Sequence, residues 1–406
     1  MGATSGRHVA EQLKLPYGIV HDGLQKLKAE LLIGYKGSAG LNDYTYELSE
    51  NGFERAQRYW QRCTYFGSAP VTLDSYIESV NRQSCKNATP RLSDVQRALS
   101  EFVLPAETVS QIGQAVNAGR ALFLHGSPGN GKTTIAERII RSLSDSIWIP
   151  RTITVTGEII RLFDPSCHIE DPLPADESVN GERYDHRWVR IRRPTIVVGG
   201  ELTFEHLEIT HNQVTGLNES PIQLKSNGGA LVIDDFGRQR ISTAELLNRW
   251  IIPLEKGHDY LSLTSGRQIQ VPFDPLVVFA TNLLPEDVVD EAFLRRIPFK
   301  IEMVDPTEAE FRALFEKTAE KLGVETPAKA FDHLVTRYYR ATSRPFRYCH
   351  VRDLLFQVQN YCSFHEQPLD INEETLNIAA RNYFGNMSEV PTAGNRAISA
   401  TGPERV

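Results

Sequence analysis

The chain has 406 residues, 41% of them apolar, with 44 Lys and Arg against 51 Asp and Glu for a formal net charge of −7. That length holds two or three domains with sizeable cores, and the acidic balance excludes a protein coated in nucleic-acid-binding charge while leaving room for a local basic patch. No run of 18 apolar residues occurs and Met1-Gly2-Ala3-Thr4-Ser5 has no secretory pattern, so no membrane insertion is expected and the cytoplasm is the expected compartment. Cys63, Cys85, Cys167, Cys349 and Cys362 are scattered without C-x-x-C spacing, which argues against a disulfide framework or a zinc site and makes Cys167-His168 and Cys349-His350 structural.

From the N-terminus, residues 7–16 and 18–31 read as two amphipathic helices, with Val9, Leu13, Ile19, Val20, Leu24, Leu27 and Leu31 on apolar stripes. Strand-like runs follow at 32–35 and 44–48, joined by a glycine-bearing loop, and a further helix opens after Ser49 as N-cap. Helix, turn, helix and two-stranded hairpin resemble a winged-helix domain over residues 5–62, with the helix that usually precedes the pair missing or truncated. Its second helix carries Lys26 and Lys28 beside Asp22 and Glu30, and the wing offers only Lys36 with Asp43. Duplex binding rests on many Lys and Arg contacts to phosphate, so protein docking or a structural role is expected ahead of DNA binding.

Residues 67–92 read as a linker and a connecting helix over 72–86, after which a nucleotide-binding core is expected over 93–304. The core opens on Ala121-Leu122-Phe123-Leu124, then Gly126-Ser127-Pro128-Gly129-Asn130-Gly131-Lys132-Thr133, then the helical pattern from Thr134. This is a phosphate-binding P-loop: the glycines let successive N–H groups converge on phosphate oxygens, Lys132 reaches the β- and γ-phosphates, and the Thr133 hydroxyl is placed for Mg²⁺. ATP and Mg²⁺ are the expected cofactors.

Gly228 to Gly237 holds an apolar strand ending in Asp234 and Asp235, where Asp234 would hold Mg²⁺ through its water shell and Asp235 would orient the attacking water. A second strand, Leu276 to Ala280, ends in Thr281-Asn282, and Asn282 could bond the γ-phosphate or that water. Asp290-Glu291-Ala292-Phe293-Leu294-Arg295-Arg296-Ile297-Pro298 follows. Beyond it, Asp305-Pro306-Thr307-Glu308 reads as a capping box opening a helix to about Leu322, with further helices at 328–340, 350–365 and 372–384 and a low-complexity tail expected to be disordered over 385–406.

P-loop, Asp-Asp strand, Thr-Asn strand, Arg-Arg-Ile-Pro and an arginine in a helical C-terminal region together resemble the AAA+ ATPase superfamily over residues 93–384. The resemblance implies an α/β P-loop NTPase core, a parallel sheet between helices, followed by an all-α lid over 305–384, with the winged-helix-like α+β domain at residues 1–66 in front. It also implies a homo-oligomeric ring, by family expectation a hexamer, whose sites lie between subunits. Asn282 matches the first sensor and Arg352 the lid arginine; Arg296 is the expected arginine finger ahead of Arg295. The second acid is usually Glu in this family, so Asp235 leaves the water geometry and rate in question.

Lys132 and Asp234 lie 102 positions apart, so an insertion is expected between them. Trp188-Val189-Arg190-Ile191-Arg192 and Thr195-Ile196-Val197-Val198 within about 183–211, together with a hairpin over 260–271 turning at Ser265-Gly266, look like the helix-2 insertion and pre-sensor hairpin of MoxR-like, MCM-like and σ54-activator-like groups. No aromatic pore loop of the unfoldase type and no Gly-Ala-Phe-Thr-Gly-Ala motif is present. A MoxR-like, chaperone-type remodeller of a protein client is therefore the expected function. The Asp-Asp-Phe-Gly segment is also similar to that of helicase loaders, which keeps a DNA-associated alternative, and the Asp at 235 keeps a slow nucleotide-gated scaffold.

Overall fold

The structure is a computed structural model, and it describes residues 2–143, 146–173, 184–214, 216–289 and 291–385. The tail expected beyond Gly385 lies outside the described residues, as do Arg183 and Asp290. The chain divides into two compact units, one of residues 1–127 and 131–303, the other of 128–130 and 304–406.

The first unit is organised by a five-stranded, wholly parallel sheet in the spatial order Thr195–Val198, Ala230–Ile233, Leu276–Thr281, Leu122–His125, Phe299–Glu302. The three inner strands read as continuous apolar runs because helices cover both faces, whereas the edge strand Phe299–Glu302 turns Lys300 and Glu302 to solvent. The period of two sorts their side chains. Leu122, Leu124, Ala230, Val232, Leu276 and Val278 enter one core with Ile112, Val116, Ile135 and Ile139 from the helices Ala106–Ala118 and Lys132–Ile139. Phe123, Leu231, Ile233, Val277 and Phe279 enter the other, around Trp250 of the helix Thr243–Lys256. The chain visits these strands out of spatial order, and ligands bind at such switch points outside the carboxyl ends of the strands. This is an α/β P-loop NTPase core.

Between Lys132 and Asp234 the chain builds further strands, but they fall elsewhere than expected. Thr195–Val198 is an edge strand of the core sheet, in register with Ala230–Ile233, and is no part of an insertion. Trp188–Arg192 pairs instead with Ser146–Pro150 as an antiparallel ribbon. A second five-stranded sheet joins Val71–Thr72, Thr152–Val155, Glu158–Arg161 and the hairpin Thr210–Asn212 with Leu217–Glu219. That hairpin separates two short helical turns, Phe204–Leu207 and Ile222–Lys225. The later hairpin, His258–Ser262 with Gln268–Pro272, turns at Ser265-Gly266 as expected. Part of the segment read as a linker is built in as well. Val71 pairs with Ile153, and Tyr76 of the helix Leu73–Arg82 is buried among Ile147, Ile149, Val189 and Ile191.

At the N-terminus the helices Gly6–Leu13 and Tyr17–Ala29 precede the strands Ile33–Gly40 and Asp43–Leu48 and the helix Glu50–Arg62, whose N-cap is Ser49. The first strand outruns the expected 32–35: register shifts at Tyr35/Gly37 and Ser38/Gly40 let the glycine-bearing segment stay in the ladder. Asp43, expected as a wing acid, is buried and accepts from the backbone of Gly6, Arg7 and Tyr44 and from the Tyr17 hydroxyl. Burial pushes its carboxyl up, but those donors prevail and hold it below the usual range.

Among its described residues the second unit holds the α-helices Glu308–Lys321, Ala328–Tyr338, Tyr348–Phe364 and Glu373–Phe384, around Phe311, Phe315, Phe331 and Leu354. Its first helix is capped by Thr307 with Glu310, two residues later than the expected box at Asp305, which is engaged elsewhere. No helix among the described residues is long and apolar enough to cross a membrane.

Candidate nucleotide-binding site

The P-loop leaves the strand Leu122–His125, which lies between Leu276–Thr281 and the edge strand Phe299–Glu302, at a point only glycine can occupy. Gly126 has φ +128°, and a Cβ there would stand 2.6 Å from the carbonyl oxygen of Met303. The Met303 N–H donates to the carbonyl of His125 at 2.7 Å, pinning the neighbouring strand's end against the loop. Gly131, in the left-handed region at φ 76°, then caps the helix that begins at Lys132 and carries Thr133 and Thr134 in its first turn. Lys132 is 7% exposed, and its ammonium donates to the carbonyls of Gly126 (2.9 Å) and Ser127 (3.0 Å) and to Oδ1 of Asn282 (2.7 Å).

Strand order brings the remaining expected residues of this unit to the same edge. The strand beside the P-loop strand ends at Asn282, and the next ends at Asp234 and Asp235. The Thr133 hydroxyl donates to Oδ1 of Asp234 at 2.8 Å, and Asn282 Nδ2 donates to Oδ1 of Asp235 at 3.2 Å. Lys132, Asn282 and Asp235 thus form one hydrogen-bonded line, with Thr133 and Asp234 as a second pair. A hydroxyl and a carboxylate together are hard oxygen donors, which suit Mg²⁺ completed by water and phosphate.

Asp235 adopts a left-handed backbone, φ 47°, which Asp and Asn tolerate better than most side chains. The turn is held from three sides. Phe236, buried in the core, donates its N–H to the carbonyl of Ala280 at 2.8 Å and accepts at its own carbonyl from the Thr281 hydroxyl at 3.0 Å. Gln239 Nε2 donates to the carbonyls of Asp234 (2.8 Å) and Asp235 (3.1 Å), while its Oε1 accepts from the Gly237 N–H (2.8 Å). Gln239 was not a candidate from sequence, because a glutamine a few residues after a strand's end carries no recognisable spacing.

In the second unit, Pro128, Gly129 and Asn130 stand with the helices. Asn130 donates from Nδ2 to Asp305 at 2.8 Å, and Arg347 donates to the same carboxylate. The Cys349 N–H donates to the Gly129 carbonyl at 2.9 Å, and a Cβ on Gly129 would meet Cys349 Sγ at 2.5 Å. Arg352, the expected lid arginine, is exposed and paired with the adjacent Asp353 at 3.0 Å. The pairing of Asp305 with Arg347 was missed, since Asp305 reads in sequence as a helix cap. His350 lies against Tyr339, Tyr383 and Phe384; burial first, then the Arg344 and Arg347 charges, push it down to about 4 against the pull of Asp353 and Asp305.

The two finger candidates differ in surroundings. Arg296 is mostly covered and donates from Nε to Glu255 at 2.6 Å. Arg295 is exposed and meets no acidic partner among the described residues. The expected preference for Arg296 therefore meets an arginine already committed within its own chain.

A family model described as a domain of unknown function (DUF8689) matches residues 307–382, within the helical unit. No curated protein matches. Similar solved structures include the Thermotoga maritima RuvB Holliday junction branch migration motor, at 14% identity and TM-score 0.40 over 70% of this chain and 71% of that one. NtrX from Brucella abortus in complex with ATP is 14% identical with TM-score 0.40 over 68% of this chain and 56% of its own. The S. cerevisiae Hsp104–ADP complex is 15% identical with TM-score 0.41 over 68% of this chain and 48% of its own.

Proposed function

We propose that this chain is a Mg²⁺-dependent ATPase of the AAA+ type that works as a homo-oligomeric ring, with a hexamer as the expected size. The observation that carries the reading is the convergence of Lys132, Thr133, Asp234, Asp235 and Asn282 at neighbouring strand ends. Lys132 now bonds two neutral carbonyls and an amide oxygen, so phosphate oxygens offer it stronger, charge-assisted partners. Backbone N–H groups of Gly126, Ser127 and Gly131 and of the helix start through Thr134 cradle the phosphates. Thr133 and Asp234 hold Mg²⁺, which when bound neutralises charge on the phosphate oxygens. Asp235 orients the attacking water and accepts its proton, and Asn282 fixes the Asp235 carboxylate by the bond it already makes. The remaining positive charge comes in trans from a neighbouring subunit, and Arg295 is now the better finger, because Arg296 is tied to Glu255. Arg352 keeps the lid-arginine role by resemblance alone.

For the output of that ATPase, a MoxR-like remodeller of a protein client is the better-supported reading. The winged-helix-like region exposes Phe53, Tyr59 and Trp60 on the helix Glu50–Arg62. Of its cations, Lys36 pairs with Glu47, Arg55 with Glu30, and Lys28 sits 3.5 Å above the Tyr35 ring, while Lys14, Lys26 and Arg58, without an acidic partner among the described residues, are scattered over different helices. A DNA-associated role through that region, as in helicase loaders, is correspondingly weaker. The test is the ATPase rate of the purified chain alone, with cell-extract protein and with duplex DNA, for wild type and Lys132→Ala. The expected result is Mg²⁺-dependent turnover lost in Lys132→Ala and raised by protein. Stimulation by duplex that weakens steeply with salt would replace the remodeller with the DNA reading.

A further inference from the structure

We infer that the outward face of the ribbon Ser146–Pro150 with Trp188–Arg192 binds single-stranded nucleic acid, a property independent of the ATPase reading. In this ribbon, Ile147, Ile149, Val189 and Ile191 point into the core, so the alternate residues share the other face. Register sets Ser146 opposite Arg192, Trp148 opposite Arg190 and Pro150 opposite Trp188. The face therefore carries two aromatic rings, Trp148 and Trp188, and two arginines, Arg190 and Arg192, with Trp148 and Arg190 directly opposite each other.

Both halves of a strand-binding surface extend from it. On one side, Tyr184 packs on Trp148 with ring centroids 4.9 Å apart while remaining 46% exposed, and His186 lies 4.6 Å beyond. On the other, an open cleft of about 660 Å³ is lined by Arg141, Arg190, Arg192 and Arg193. Its acids are Glu137 and Asp171, two against four arginines. Asp171 pairs with Arg190 at 3.3 Å, and Glu170 beside it is taken by Arg151. Arg193 is spent on the carbonyls of Gln83 and Gly228. Arg141 and Arg192 are exposed and have no acidic partner among the described residues.

Exposed arginines facing a cleft match phosphates, and an accessible aromatic stack matches unpaired bases, which is the pairing that single-strand-binding proteins use. A paired duplex hides its base faces, and an acidic peptide has no use for the rings. Arg190, opposite Trp148 and inside the cleft, joins the two halves.

The test uses the full chain and a fluorescently labelled oligothymidylate, with anisotropy read across a KCl series. Wild type is expected to bind, with duplex DNA of the same length and polyglutamate of the same charge competing poorly. Arg141→Glu with Arg192→Glu should weaken binding at least tenfold and flatten the salt slope by ~1.4, about 0.7 for each phosphate left without its arginine. Trp148→Ala should weaken it on the order of tenfold and Trp148→Phe far less, because a ring is retained. Both arginines are exposed, so the charge reversal carries the test if Trp148→Ala fails to fold. Single-strand binding by this face is overturned if wild type does not bind the oligomer, if the double reversal leaves binding unchanged, or if polyglutamate displaces the labelled strand as well as unlabelled oligothymidylate does.

Discussion

Asp235 stands where the AAA+ resemblance implies a longer acid, and the backbone supplies a reason. At φ 47° the turn favours a short side chain that can live in the left-handed region, and Asn282 reaches it there. Asp235→Asn preserves that geometry, so it should bind nucleotide normally while turnover falls by about 10²-fold or more, as removal of a general base does. Gln239→Ala removes the donor to both Asp234 and Asp235 carbonyls, and should lower turnover several-fold with little change in nucleotide affinity and a stability loss of about 1 kcal/mol. The arginine pair separates by readout. Arg295→Ala should abolish most ATPase activity without moving the melting temperature, whereas Arg296→Ala, which removes the partner of Glu255, should lower melting by about a degree and spare more activity. The P-loop, Asp234, Asp235 and Asn282 were legible in sequence because each has fixed chemistry at a strand end. The Glu255 partner of Arg296 and the brace from Gln239 were not, because only tertiary folding brings those groups together.

At the scale of elements, apolar runs, caps and turn residues disclosed the N-terminal helices, the helix after the P-loop, the helices of the second unit and the hairpin at Ser265-Gly266, but not the core helices Ala106–Ala118 and Thr243–Lys256. What they could not disclose was sheet membership. Thr195–Val198 and Trp188–Arg192 have similar strand patterns, yet one closes the core sheet and the other joins a ribbon, since pairing partners are set by long-range packing and leave no mark in a local period. The helix Tyr348–Phe364 carries its own titration. His350 has its pKa lowered to about 4 by burial and neighbouring arginines, so the folded helical unit takes up its proton less readily than the unfolded chain does. Stability from this group is present above the ordinary histidine range near 6.5 and is lost as pH falls from there towards 4. Melting temperature should therefore drop across that window, and His350→Gln should flatten the drop; an unchanged profile in the variant would remove His350 from the account.

At the scale of the whole molecule, the reading is of an ATPase whose cis groups are complete within one chain and whose last positive charge belongs to the next. The sequence order of motifs suggests this architecture through resemblance, while of the segment between Lys132 and Asp234 the excess length and the strand Trp188–Arg192 were visible but not its pairing with Ser146–Pro150 or the second sheet, which draws Val71–Thr72 from before the P-loop. The most direct test mixes two inactive variants, Lys132→Ala, which keeps Arg295 but has lost its own phosphate site, and Arg295→Ala, which keeps its phosphate site but supplies no finger. In a ring with shared sites, equal mixing should restore about a quarter of wild-type activity, because that fraction of interfaces joins an intact site to an intact finger. A mixture no more active than its two components measured apart would contradict the composite site.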